Sequence, residues 1–324
     1  MTDLVAVKEP AGSDNQGGVK DSFGKKPSKL TKRRYNENIA YYLLLAPFVI
    51  LFFVFTVLPV LSSIVLSFFN FDMLSTPTFN GLSNYKRMFS GDEVFPVVVK
   101  NTLVFSVITG PLSFVLAFIL GWFINEFGPK VRSVLAFLFY APALIGNAYF
   151  VWQVAFSGDS YGYVNSVLLR LGLITDPIQW FKDPSYCMVI IIMVQLWLNM
   201  GVSFLADIAG LQNVDPELYE AGAIDGIRTR WHELWYITLP TMKSILLFGA
   251  VMQIQATFSV SAVITAMCGY PSINNSVDTI VSYLSDVGTI RYEMGYASAI
   301  SVFLFLLMAV CRIVVEKLLN SMGR

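Results

Sequence analysis

Six stretches of this chain are apolar for long enough to cross a bilayer core, which takes about 20 residues of helix. They run Ile39–Phe69, Val97–Ile124, Val131–Phe156, Tyr186–Leu211, Thr238–Met267 and Met294–Leu319. In the first, Pro47 and Pro59 predict a turn near the start and a kink further on. The third and fifth carry Pro, Asn and Gln among their apolar residues. The pattern predicts an all-α membrane protein with six transmembrane helices over residues 39–324, behind a basic, disordered tail at 1–38 whose first part is rich in Gly, Ser, Asp and Asn. A signal peptide is not expected: the first run is too long for a secretory core and no small-residue cleavage site follows it. The connecting segments Asn70–Pro96 and Ser157–Ser185 hold Gly, Pro, Asp, Tyr and Trp, and are long enough to form a docking surface.

Composition agrees. Of 324 residues, 55% are hydrophobic and only 14% charged, against about 25% in an average soluble domain. Too few charges remain to cover a globule, which excludes an ordinary cytosolic enzyme and a disordered chain. A net charge of zero argues against nucleic acid as a partner. The 26 Phe, 15 Tyr and 6 Trp suit a lipid-facing surface with aromatic belts. Cys187, Cys268 and Cys311 are odd in number and lack CxxC spacing, so neither a disulfide framework nor a metal site is expected. The single histidine, His232, is expected in a solvated loop, and a His-based metal site or Ser-His-Asp triad is not expected.

Basic residues set an orientation. With the N-terminus inside, sixteen of the 22 Lys and Arg fall on the cytoplasmic side, among them Lys25, Lys26, Lys29, Lys32, Arg33 and Arg34 ahead of the first run, and Arg228, Arg230 and Lys243 further on. Six fall on the opposite side: Lys86, Arg87, Lys100, Arg170, Lys182 and Arg291. This obeys the positive-inside rule with both termini cytoplasmic.

The cytoplasmic segment between the fourth and fifth runs reads VDPELYEAGAIDGIRTRWHELWYITLP, Val214 to Pro240. Asp215 suits an N-cap, Pro216 the first helical position and Glu217 the positive helix end. A short helix is therefore expected over about 215–227. Leu218, Ala221, Gly222 and Asp225 share one face by spacing. The Ala221-Gly222-Ala223 tract keeps part of the helix thin, and Gly226 is placed to end it.

These residues resemble the EAA motif of permease subunits of bacterial binding-protein-dependent ABC importers, roughly E-A-A-x3-G-x9-I-x-L-P. The chain has Glu220-Ala221-Gly222, Gly226, and Ile237-Thr238-Leu239-Pro240, with Gly in place of the second Ala and ten residues rather than nine before Ile237. The segments Leu45–Phe48, Leu58–Phe71, Gly81–Tyr85 and Tyr292–Ala299 are similar to carbohydrate permeases of the maltose-permease type. The resemblance implies a type I ABC importer permease fold and a multi-pass location in the bacterial cell membrane. It further implies that Glu220, Ala221, Gly222, Asp225, Gly226, Leu239 and Pro240 belong to a coupling helix and its exit. That helix would dock on one of two ATP-binding cassette ATPase subunits, with Glu220 paired to a basic residue there. A second homologous permease, in a heterodimer, and an extracytoplasmic solute-binding protein would complete the importer. The chain has no GxxxxGK[ST] loop, so ATP and Mg would be bound by the partner ATPases and not by this subunit, which is expected not to be an enzyme.

Polar side chains within spans tend to face a bundle interior or a solute path. Gln195 and Asn199 share a face of the fourth run at i, i+4, and Gln253 and Thr257 repeat the spacing in the fifth. Uncharged amides and hydroxyls suit a neutral, hydroxyl-rich ligand because each can donate and accept. These four are candidates for solute binding, and helix–helix bonding is the alternative. Trp197, Phe258 and Tyr270 could offer ring faces to a sugar, and Asp207 is expected to be structural. A carbohydrate, of oligosaccharide size, is the expected cargo; a polyol or glycerol phosphate is the alternative within the class. A secondary transporter or channel without ATPase is the rival outside it, though no mid-span carboxylate pair supports a proton relay.

Overall fold

The computed structural model describes residues 29–321, so the first 28 residues of the expected tail, with Lys25 and Lys26, lie outside the described residues. Compact packing divides the described residues into two units, with the boundary after Pro59. In the first, α1 (Lys29–Phe52) begins ten residues before the apolar run, so Lys29, Lys32, Arg33 and Arg34 are helical.

The expected turn at Pro47 and kink at Pro59 take another form. Pro47 lies inside α1, and a π-helical turn, Phe53–Val57, precedes α2 (Leu58–Leu66). Proline offers no N–H and crowds the carbonyl four residues back, here Phe55 within that turn. The widened turn absorbs both problems and the helix continues from Tyr41 to Leu66. The same device precedes Pro240, where the π-helical turn is Leu234–Thr238.

The second unit continues with a two-residue antiparallel pair, β1 (Phe69–Asn70) and β2 (Thr78–Phe79), then α3 (Ser83–Ser90) and α4 (Val94–Asn125). Next come α5 (Pro129–Leu144), α6 (Phe150–Ala155), α7 (Tyr163–Arg170), α8 (Pro184–Leu198) and α9 (Val202–Gln212). The short helices α10 (Pro216–Ile224), α11 (Arg230–Glu233) and α12 (Leu239–Thr241) lead into α13 (Lys243–Phe258) and α14 (Ala262–Cys268). The chain closes with α15 (Ile280–Ser285) and α16 (Met294–Ser321). Several starts follow the residues that favour them: proline opens α5, α8 and α10, and Asp183 and Asp215 accept the amides of Ser185 and Glu217 at 2.9 and 3.0 Å.

Among the described residues, four helices are long and apolar enough to span a membrane: Tyr41–Leu66, Val94–Asn125, Lys243–Cys268 and Met294–Leu318. α8 and α9 make a fifth if taken as one span bent by 40°. The third apolar run of the sequence is divided between α5 and α6, with an irregular stretch over residues 145–149. The packing core lies where α4, α9 and α13 meet.

One end of this unit is tied by Asp92. Its Oδ1 accepts the amides of Val94 and Phe95 at 2.9 and 3.0 Å, capping α4, while Oδ2 accepts the hydroxyls of Tyr283 and Tyr296. Arg87 pairs with Glu293 at 2.8 Å and lies 4.2 Å over the Tyr296 ring. Gly295 lets α16 approach β1: a Cβ there would stand 2.1 Å from the Phe69 carbonyl oxygen. Asn165 organises the loop after α6, its Nδ2 donating to the carbonyls of Ser157, Asp159 and Ile178, and its Oδ1 accepting from Ile178 N and Trp180 Nε1.

The cysteines correct an expectation. Cys187 of α8 and Cys268 of α14, 81 residues apart, form a disulfide, while Cys311 is free. Sequence spacing could not show this, because the pairing arises from the packing of α8 against α14 around Ile191, Val260 and Ile264.

Candidate functional site

Two sites emerge, one at the α10 end of the bundle and one within it. At the first, the Asp215 cap and Pro216 start α10, and the chain leaves it through Gly226 at φ +94°, a left-handed conformation that favours glycine. Tyr219 places its hydroxyl 3.0 Å from Thr238 Oγ1, and Thr238 in turn donates to the Glu233 carbonyl at 3.2 Å. Val214, Tyr219, Ile227 and Ile237 pack in one apolar cluster with Phe118 of α4 and Met242 and Leu246 beside and within α13. Arg230 bridges Glu126, just past α4, at 3.1 Å and Glu233 at 2.8 Å. The short helix is thereby joined to the ends of two long helices.

The thin face of α10 is turned toward the chain itself. Gly222 is buried, and a Cβ on it would stand 2.6 Å from Ile237 Cδ1 and 3.3 Å from Ile227 Cδ1. The close approach expected from Gly222 is thus made by the segment leading to α13. Glu217, Glu220, Ala221, Ala223, Ile224, Asp225 and Gly226 are exposed, Ile224 at 87%. Leu239 is partly buried in the cluster and Pro240 is exposed at the start of α12. His232 is exposed, within α11 rather than a loop.

The second site contains the four polar residues of the fourth and fifth runs, all buried. Their hydrogen bonds separate them. Gln253 is bonded between helices: its Oε1 accepts from Ser203 Oγ of α9 at 3.2 Å, and its Nε2 donates to Ser113 Oγ of α4. Gln195 Nε2 donates to Asn199 Oδ1 at 2.7 Å within its own helix turn. The remaining Gln195 Oε1 and Asn199 Nδ2, like Thr257 Oγ1, are shielded and have no partner. Helix–helix bonding explains Gln253; it leaves these three atoms unexplained, and a buried polar atom without a partner costs about 1–3 kcal/mol.

Asn199 stands where α8 ends, at the 40° bend before α9. Thr257 and Gln253 line a cleft of about 340 Å³ between α4, α13 and α16, together with Ser106, Gly110, Phe114 and Phe258. Trp197 meets Trp152 edge to face, with ring centroids 5.7 Å apart. Periodicity found the polar face of each helix. It missed Ser113 and Ser203, whose short hydroxyls look like ordinary helix residues until the facing helix is known. No group of three His, Cys, Asp or Glu side chains is arranged to hold a metal among the described residues.

No protein-family model matches the chain. Its relatives include the probable ABC transporter permease protein YesP of Bacillus subtilis (strain 168), 31% identical over 287 residues that cover 87% of this chain and 90% of that one. The arabinooligosaccharides transport system permease protein AraP of the same organism is 31% identical over 289 residues, covering 89% and 90%. The lactose transport system permease protein LacF of Rhizobium radiobacter is 32% identical over 289 residues, covering 86% and 93%. Among solved structures, a chain of the bacterial ABC transporter involved in import of the acidic polysaccharide alginate superposes with a TM-score of 0.74 at 24% identity, over 92% of this chain and all of that one. A chain of the alginate transporter in complex with a pentasaccharide-bound periplasmic protein gives 0.71 at 23% identity, over 90% and 96%. The long apolar helices together with the permease relatives define a multi-pass membrane permease. The chain belongs to the family of ABC transporter permease proteins.

Proposed function

We propose that this chain is one of two permease subunits of an ATP-driven importer and carries a carbohydrate, of oligosaccharide size, across the bacterial cell membrane. The relatives named for arabinooligosaccharides and lactose support the cargo class. The fold shared with an alginate transporter seen with its periplasmic protein supports delivery by an extracytoplasmic binding protein. Both termini face the cytoplasm, as the distribution of Lys and Arg favours. A homologous second permease completes the path. Two ATPase subunits bind ATP and Mg, and α10 is the element through which they act on this chain.

The observation that carries the reading is the attachment of α10. Its inward side is fused to α4 and α13 through Tyr219, Gly222, Ile237 and Phe118, while its outward side presents Glu217, Glu220 and Ile224. A displacement applied to the outward side passes to two long helices as a rigid-body movement, the kind of motion that exchanges access between two faces. Glu220 pairs with a basic side chain of the ATPase, and Ala221, Asp225 and Gly226 lie within the docking surface. Along the path, Gln195, Asn199 and Thr257 offer unpartnered amide and hydroxyl atoms to solute hydroxyls.

Purification of the transporter from membranes, followed by reconstitution with its binding protein, tests this reading. ATPase subunits should copurify, and an oligosaccharide with the binding protein should stimulate hydrolysis. Glu220→Lys should remove the stimulation while leaving insertion intact. Full stimulation in Glu220→Lys would overturn the coupling role, and absence of any copurifying ATPase would overturn the importer.

A further inference from the structure

Asp207 is fully buried in α9, and both of its carboxylate oxygens are shielded and without a hydrogen-bond partner. It lies between two glycines of the facing helices. A Cβ on Gly121 of α4 would stand 3.7 Å from Asp207 Cβ, and one on Gly249 of α13 would stand 3.9 Å from Asp207 Oδ1. The same point at Gly249 is 3.5 Å from Ser203 Cβ and 3.6 Å from the Phe114 ring. Ser203, one turn before Asp207, faces the same glycine and begins the run of bonds through Gln253 and Ser113 to the Thr109 carbonyl.

No counter-charge reaches this carboxylate. On α4 the only charged side chain is Lys100, near the end of the helix opposite Gly121. On α13 it is Lys243, its first residue, next to the Met242 that faces Gly210 one turn beyond Asp207. On α5 the titratable groups are Lys130, Arg132 and Tyr140, and Tyr140 packs on the Phe204–Ile208 side of α9. None of these is within ion-pair or hydrogen-bond distance of Asp207.

An ionised carboxylate enclosed in this way, without donor or cation, is strongly disfavoured. A bound proton removes the charge, and it leaves a hydroxyl beside Ser203, whose oxygen donates to Gln253 and still has lone pairs to accept with. We propose that Asp207 is a proton-binding site in the helix core, occupied while α4, α9 and α13 are packed as seen here and emptied when that packing opens. The step is an acid dissociation alone: the carboxylic O–H gives its proton to water and the carboxylate remains, solvated. A sodium ion is the less suitable occupant, because it needs several oxygen ligands, and Ser203 Oγ, Gln253 Oε1 and Ser113 Oγ beside Asp207 are already joined in hydrogen bonds.

The purified full-length permease in lipid tests this without any partner subunit. Infrared spectra at neutral pH should show a protonated-carboxyl stretch that is sensitive to deuterium and missing in Asp207→Asn. Thermal unfolding of the wild type should lose stability as pH rises above the unfolded-state pKa of about 3.9. The loss should approach a tenfold change in the unfolding equilibrium per pH unit while the folded protein holds the proton and the unfolded chain does not, and level off once the folded protein also releases it. Asp207→Asn, which copies the neutral acid, should lack that slope. Equal spectra or parallel pH profiles would overturn the proposal. So would a stability that follows sodium at fixed pH. If Asp207→Asn does not accumulate, the deuterium-sensitive band of the wild type decides alone: its absence overturns the proposal.

Discussion

The hydroxyls of Tyr219 and Thr238 stand 3.0 Å apart, and this contact joins a nine-residue helix to the segment that leads into α13. The two residues are 19 positions apart in sequence. Between them the chain turns at Gly226, passes through α11 and widens into a π-helical turn.

Two variants separate attachment from docking at this contact. Tyr219→Phe should cost about 0.5–1.5 kcal/mol, a single net hydrogen bond, and should weaken solute-stimulated ATP hydrolysis without removing it. Gly222→Val should be worse on both counts, since its side chain must displace Ile237 and Ile227 from the cluster. Thermal unfolding and coupled ATPase assays would measure both effects, and a neutral Gly222→Val would contradict the inward packing.

The polar residues of the spans should divide by their bonds. Gln253→Ala breaks the link between α4, α9 and α13 and is expected to lower stability by about 1–3 kcal/mol. Thr257→Val removes a hydroxyl that has no partner, so stability should hold or rise slightly while uptake falls through a higher KM. Side-by-side melting and uptake measurements check the division. Unchanged uptake in Thr257→Val would remove that hydroxyl from the path.

Asn165→Ala should cost about 2–4 kcal/mol, because two backbone carbonyls, an amide and the Trp180 N–H lose buried partners together with further support for the loop. Limited proteolysis should then cut between residues 157 and 181 faster than in the wild type. Asn165→Asp should rescue only the two bonds accepted by the side chain.

Acid should loosen the Asp92 end. Burial alone would raise this carboxyl, but hydrogen bonds from Tyr283, Tyr296, Phe95 and Val94 outweigh it and hold the group below the usual carboxylate range. A depressed value means that the contribution is complete above the unfolded-state pKa, about 3.9, and is lost as pH falls through the folded value. The melting temperature should therefore drop in that acid window, and the drop should be smaller in Asp92→Asn. Because Asp92 is only partly buried, solvent screening keeps the effect modest.

The apolar runs of the sequence show the helices well, since lipid demands long uninterrupted stretches and leaves few other solutions. Asp215, Pro216 and Gly226 show where α10 begins and ends, because capping and left-handed turns depend on local residue chemistry. Tertiary facts were not legible. Hydropathy does not register the irregular stretch between α5 and α6, since residues 145–149 include Ile145, Ala148 and Tyr149 and keep the run apolar. The direction of Gly222, the bonds of Ser113 and Ser203 and the pairing of Cys187 with Cys268 depend on which helix lies opposite, and one sequence does not state that.

The two sides of α10 are built from different residues, and this separation makes the subunit modular. On the coupling role proposed for α10, its outward surface, Glu217, Glu220 and Ile224, could be exchanged to fit another ATPase while Tyr219 and Gly222 stay fixed. A transplant limited to that surface would exchange the engine and keep the drivetrain.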